Sequence, residues 1–193
     1  MKIRMTLAAL TAVVAGAQAT NLTANFNVDN DFFAYISTDD SVLGTYLFEG
    51  HNWPTTYTAT VGLTAGQTNY LHVIATNAGG PYGLLGTLSL DDAGFWFDNN
   101  TQSAISGTDW RVNTTGFGNA YNAATFIANN GGGPWGFIGA PQSPNAQWIW
   151  SDSDNGTNRY FSIRLNTDVA VPEPASMLAL AMGAAALIKK RRS

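Results

Sequence analysis

Six tryptophans stand among the 193 residues, and several are set in stretches rich in glycine, asparagine and threonine rather than charge. An indole face offers a sugar ring a flat surface for its C–H groups, and amide and hydroxyl side chains answer its hydroxyls. Trp53, Trp110 and Trp135 lie in or beside turn-rich segments and are the candidate ligand-contacting residues. Trp148 and Trp150 are two apart in one strand-like segment and share a face, of which one member is expected in the core. Acid–base chemistry has less to work with. Glu49 is the single glutamate between residues 20 and 170, and the pairs Asp39-Asp40 and Asp91-Asp92 are adjacent, so a strand would point each pair apart and a turn would use it. A glycosidase needs two acids facing across a cleft. His51 and His72 are the only histidines, no Gly-x-Ser-x-Gly elbow or His-Glu-x-x-His motif accompanies them, and they read as surface or sheet-face residues. Cysteine is absent, which excludes disulfides and thiolate metal sites. A structural calcium is the only cofactor to consider, with Asp29 and Asp31 as candidate ligands. Asp152-Ser153-Asp154-Asn155-Gly156 opens like a calcium loop, but Thr157 stands where the loop needs glycine and no glutamate closes it, so it reads as a hairpin turn.

The elements that must position these residues are short strands. In Tyr70–Ala75, Leu71, Val73 and Ala75 share one face; in Arg159–Leu165, Phe161, Ile163 and Leu165 point one way, with Arg159, Ser162 and Arg164 read as pointing the other. Further strands are expected over Leu22–Val28, Phe32–Ser37, Val42–Phe48, Tyr57–Leu63, Leu84–Leu90, Asp109–Val112 and Gln147–Ser151. Turn signals separate them at Asp39-Asp40, 64–67, Asn99-Asn100 and 129–133. A helical turn is expected within 120–128, and no segment of this domain carries a helical stripe. The segment Asn77–Gly86 recurs as Asn130–Gly139, with six of ten positions identical. Consecutive glycines allow positive φ, proline directs the exit and an aromatic follows, so the copies are expected to form two equivalent loop-to-strand corners. About 150 residues of this kind can bury a core and suggest a β-sandwich or barrel.

The chain ends read as addresses. Lys2 and Arg4 precede the apolar run Leu7–Ala15, and Ala17-Gln18-Ala19 stands before Thr20, the pattern of a secretory signal peptide over 1–19. The other end carries Pro172-Glu173-Pro174, then 14 apolar-run residues over 175–188, then Lys189-Lys190-Arg191-Arg192-Ser193. A full membrane span needs about 20 residues, and the basic tail of this shorter one would stay cytoplasmic. This tail, over 171–193, resembles the PEP-CTERM sorting signal: a Pro-Glu-Pro motif, a short transmembrane helix and a basic end. The resemblance implies that Pro172, Glu173, Pro174, Lys189, Lys190, Arg191 and Arg192 are read by an exosortase at the inner membrane of a Gram-negative bacterium. It also implies cleavage near the motif and delivery to the cell envelope, surface or extracellular matrix.

Between the addresses lies the domain 20–170. It has three arginines, no lysine and twelve acids, a formal charge of −9 against −4 for the whole chain. That charge excludes a nucleic-acid partner and favours neutral or cation-bridged glycans over bare anionic ones. Asp29–Ile36, the Ala75–Pro81 corner and Trp148-Ile149-Trp150 resemble the galactose-binding-like jelly-roll modules, with Ser37-Thr38-Asp39-Asp40 standing where those modules carry an Asn-Gly hairpin. The resemblance implies an all-β jelly-roll sandwich that binds carbohydrate without catalysis. The expected function is that of an exosortase-sorted protein binding glycan or exopolysaccharide. The alternatives are a structural matrix protein without a discrete ligand, and a glycan hydrolase whose acids, Glu49 or Asp92 among them, meet only in three dimensions.

Overall fold

The computed structural model describes residues 20–118, 120–151 and 158–167. The expected signal peptide (1–19), the turn expected at Asp152–Gly156 and the sorting segment (171–193), with the transmembrane helix expected at 175–188, lie outside the described residues. Among the described residues there is no α-helix, and so none long and apolar enough to cross a membrane.

Thirteen strands form among the described residues, in chain order: β1 Asn21–Asp29, β2 Asp31–Ser37, β3 Thr45–Gly50, β4 Tyr57–Gly62, β5 Asn69–Thr76, β6 Gly83–Leu90, β7 Trp96–Phe97, β8 Ser103–Ile105, β9 Arg111–Asn113, β10 Asn122–Ala123, β11 Thr125–Asn129, β12 Gln147–Trp150 and β13 Asn158–Asn166. They build two antiparallel sheets, as the all-β sandwich reading expects. The first runs β11-β12-β6-β1-β4, with β8 beside β6; the second runs β10-β9-β13-β5-β2-β3, with β7 beside β13. The chain changes sheets at Asn30, whose N–H donates to the Thr76 carbonyl while its side-chain oxygen accepts from the Ala78 N–H at 2.6 Å.

Alternation dictates which side chains enter the core. Leu22, Ala24, Phe26 and Val28 of β1 face Phe32 and Ala34 of β2, Leu71 and Val73 of β5, and Phe161, Ile163 and Leu165 of β13. A second, smaller cluster lies on the far side of the first sheet: Leu85, Ala128, Trp135, Ala146 and Trp148. The loop 130–146 folds back to form it. Gln142 Nε2 donates to the Asn25 carbonyl and to Asn27 Oδ1, and Asn27 Nδ2 donates to the Trp53 carbonyl. These asparagines are 6% and 0% exposed, so part of the asparagine wealth holds this loop down rather than facing solvent. Both sheets and both clusters are built from residues 20–167, so this segment carries a self-contained sandwich.

Four expectations need correction. The segment 120–128 is not a helical turn but carries β10 and β11, because Asn122-Ala123 pairs with β9 and Thr125–Asn129 with β12. The two glycine-rich copies are not equivalent corners: the first leads into β6, whereas 136–139 is irregular and Phe137 is 63% exposed. They instead converge on β12, where Tyr82 lies 5.8 Å from Trp150 and Trp135 stacks on Trp148 at 4.4 Å. Arg159 shares its parity with Phe161, not with Ser162, and is fully buried with its Nε donating to Ser151 Oγ. Trp148 and Trp150 are both fully buried, one in each cluster.

Candidate functional site

The outer face of the second sheet collects most of the chemistry. Because Leu71, Val73, Phe161, Ile163 and Val112 point inward, their neighbours Tyr70, His72, Tyr160, Ser162, Arg164 and Arg111 point outward. Register then sets them in rows: Tyr46, Tyr35, His72, Ser162 and Arg111 lie across β3, β2, β5, β13 and β9.

One end of this face forms a groove of about 320 Å³, lined by Thr68, Trp96, Asp98, Asn100, Arg164, Asn166 and Thr167. β7 brings Trp96 opposite Asn166, while Phe97 opposite Leu165 turns into the core. Trp96 is half-buried, and Asp98 and Asn100 follow it on an exposed turn. Asn100 donates its N–H to the Phe97 carbonyl and holds φ at 60°, a left-handed geometry that asparagine tolerates. Asn166 Nδ2 donates to Asp98 Oδ1 at 2.8 Å, which orients the carboxylate at the groove wall. Arg164 is exposed beside it. An indole face, two amides, a carboxylate, a guanidinium and two hydroxyls thus line one open groove, offering a flat apolar surface beside several hydrogen-bonding groups.

The middle of the face is covered. Asp40 accepts from Ser162 Oγ at 2.6 Å and Tyr121 OH at 3.0 Å, stands 3.3 Å from His72 Nε2, and accepts from Arg111 at 3.4 Å. Phe117 stacks on His72 at 4.0 Å, and the Arg111 guanidinium lies 4.8 Å above the Tyr121 ring. Gly118, at φ +75°, passes so near Ser41 that a Cβ there would sit 2.5 Å from the Ser41 Cα. Loops 38–44 and 114–121 are therefore clasped together over the sheet by one carboxylate. Burial alone would raise the Asp40 pKa, but the bonds from Ser162, Arg111, Tyr121 and His72 outweigh it and hold the group below the usual carboxylate range. Burial pushes the His72 imidazole down despite its contact with Asp40. Serine, histidine and aspartate meet here in the wrong order for nucleophilic catalysis: Ser162 donates to the carboxylate, and His72 lies between Asp40 and the Leu43 carbonyl.

At the opposite end, His51 Nδ1 lies 2.9 Å from Asp31 and Nε2 lies 3.4 Å from Glu49, all three exposed. Hydrogen bonding to Asp31 and then Glu49 raises the imidazole pKa. Phe33 meets the imidazole ring edge to face at 5.7 Å.

The tryptophans singled out by position lie elsewhere. Trp110 is 5% exposed, pointing between the sheets against Phe26, where the missing side chain of Gly86 leaves it room. Trp135 is 6% exposed, stacked on Trp148 and donating Nε1 to Asp29 at 2.8 Å. Trp53 is half-buried against the small cluster. The three do not share a face, and the expectation that all could be exposed fails because two fill space between packed elements. Nor do Asp29 and Asp31 turn to one point: Asp29 is buried under Trp135, with burial raising its pKa against that bond, and Asp31 holds His51. Among the described residues no cluster of three histidine, aspartate or glutamate side chains is placed to hold a metal ion. Asp39, Asp91 and Asp92 are turn and corner residues as expected, accepting from Ser41, Asn21 and Gly94 respectively; Asp40 is the exception. Sequence reasoning passed over Trp96; the signal that could have found it is alternation within Phe95-Trp96-Phe97, two inward rings around one outward indole, next to Asp98-Asn99-Asn100.

No curated protein matches the chain, and no solved structure does. One protein family is recognised: residues 170–192 match the PEP-CTERM protein-sorting motif. The matched segment is the sorting tail alone, and it marks the chain as an exported protein whose sorting partner is an exosortase.

Proposed function

We propose that this exosortase-sorted chain is a non-catalytic saccharide-binding protein of the envelope or extracellular matrix of a Gram-negative bacterium. The groove under Trp96 is its binding seat, and exopolysaccharide is its partner. The observation that carries the reading is the half-buried Trp96 ring surrounded by Asp98, Asn100, Arg164, Asn166 and Thr68 in a cavity of about 320 Å³. A pyranose face packs on the indole, while the carboxylate and amides take its vicinal hydroxyls. Binding without turnover accords with the clasped order of Ser162, Asp40 and His72. It also accords with Glu49 standing against His51 rather than against a second acid.

The test is retention of purified residues 20–170 on a glycan array and on exopolysaccharide extracted from the producing cells. The reading expects retention that free oligosaccharide of the same polymer competes away. A protein that no polysaccharide retains, native polymer included, would leave the structural matrix reading in its place.

A further inference from the structure

Two open sheets leave four edge strands, here β11 and β4 in the first sheet and β10 and β3 in the second. An exposed edge offers unpaired backbone N–H and C=O groups, and folded proteins blunt such edges with short strands, bulges or charges. Three of the four are blunted. β10 has two residues; β11 is interrupted between Phe126 and Ala128; β3 carries Glu49 and pairs with β2 through an irregularity between Ala34 and Tyr35. β4, Tyr57-Thr58-Ala59-Thr60-Val61-Gly62, has none of these devices. It pairs with β1 in unbroken register over six residues, contains no charge and no proline, and no strand other than β1 pairs with it among the described residues.

We propose that β4 is a self-pairing edge, adding antiparallel to β4 of a second copy of this chain so that the two first sheets become continuous. The strand is self-complementary. Directly opposed residues must share a face, and Thr58 and Thr60 lie on the exposed face while Tyr57, Ala59 and Val61 face the core side. Centring the pair on Ala59 sets Thr58 opposite the partner's Thr60 and Tyr57 opposite the partner's Val61. Threonine–threonine and aromatic–β-branched pairs are both favourable across strands. The threonine row already exists within one copy: Thr60 and Thr23 hydroxyls lie 2.9 Å apart, and Thr58 donates to Asn25 at 2.8 Å. The seam is uncharged in a domain of formal charge −9, so repulsion between copies acts only at long range, and added salt tightens the pair.

Sedimentation velocity on residues 20–170 tests this, with mass as the readout and no saccharide present, so the result is independent of the binding function. The wild type is expected to show a concentration-dependent dimer, stronger at higher salt. Two double variants change the same two positions. Thr58→Lys with Thr60→Lys sets like charges opposite each other and is expected to weaken dimerisation more than about tenfold. Thr58→Lys with Thr60→Glu sets opposite charges together and is expected to keep the dimer; circular dichroism and urea unfolding confirm that both variants fold. A wild type that stays monomeric up to about millimolar concentration, or two variants that dimerise equally or both fail to, would overturn the proposal.

Discussion

Trp135 and Trp96 separate the two uses of an indole in this chain. Trp135 is stacked at 4.4 Å on Trp148 with its N–H given to buried Asp29, so Trp135→Ala removes packing and orphans a carboxylate together. It is expected to cost about 3–5 kcal/mol in urea unfolding of residues 20–170. Trp96→Ala removes a half-buried ring from the rim and is expected to cost about 1 kcal/mol or less, while saccharide retention is lost. Position in a turn-rich segment does not distinguish these cases, because a loop that folds back, as 130–146 does, buries its aromatics as thoroughly as a strand. Local alternation does better: in the longer strands it places Tyr70, His72 and Ser162 on the outer face from sequence alone. It misses that His72 and Ser162 are then covered, since Asp40 reaches Ser162 from 122 positions away. Asp40 and His72, the members of the clasp that titrate in the acid range, both have lowered pKa values, so in each case the unfolded chain binds the proton first and acid destabilises the fold. Stability is expected to fall as pH drops below about 6.5, the ordinary histidine value, and to fall further below about 4, the ordinary carboxylate value. His72→Gln should flatten the upper part of that profile and Asp40→Asn the lower, as read by urea midpoints between neutral and acid pH.

Elements with a two-residue period were legible: β1, β2, β4, β5, β6, β12 and β13 sit within a residue or so of their expected places. β3 starts at Thr45 rather than Val42, because Ser41 to Gly44 are used by the clasped loop. The strands β7, β8, β10 and β11 were not legible: β7, β8 and β10 have only two or three residues, β11 is broken in register between Phe126 and Ala128, and each pairs with a partner distant in sequence or with the short β9. The clasp between loops 38–44 and 114–121 depends on a glycine for close approach. Gly118→Val introduces a Cβ against Ser41 at positive φ, and is expected to cost about 1–3 kcal/mol and to expose Phe117 and His72 to solvent. Hydrogen exchange of the amides in both loops, faster in the variant while the β1 and β6 amides stay protected, checks that the effect is confined to the cover.

For the molecule as a whole, two basic end segments enclose a lysine-free domain of formal charge −9. The sorting tail was readable because it is a local signal, with motif, apolar run and basic end in contiguous order. The groove proposed as the saccharide seat was not, because Thr68, Trp96, Asp98, Arg164 and Asn166 come from three separate stretches joined only by the pairing of β13 with β7 and β5. The acid field opposes long anionic polymers, and Arg164 supplies only one local countercharge in the groove. Binding to a neutral polysaccharide is therefore expected to vary little with salt, and binding to a carboxylated one to strengthen with salt or calcium. The most direct measurement is affinity electrophoresis of the wild-type domain, Trp96→Ala and Trp53→Ala through gels containing the native exopolysaccharide. Retardation of the wild type and of Trp53→Ala, with Trp96→Ala running as in a gel without polymer, is the expected result. Retardation of Trp96→Ala equal to that of the wild type would contradict the assignment of the groove.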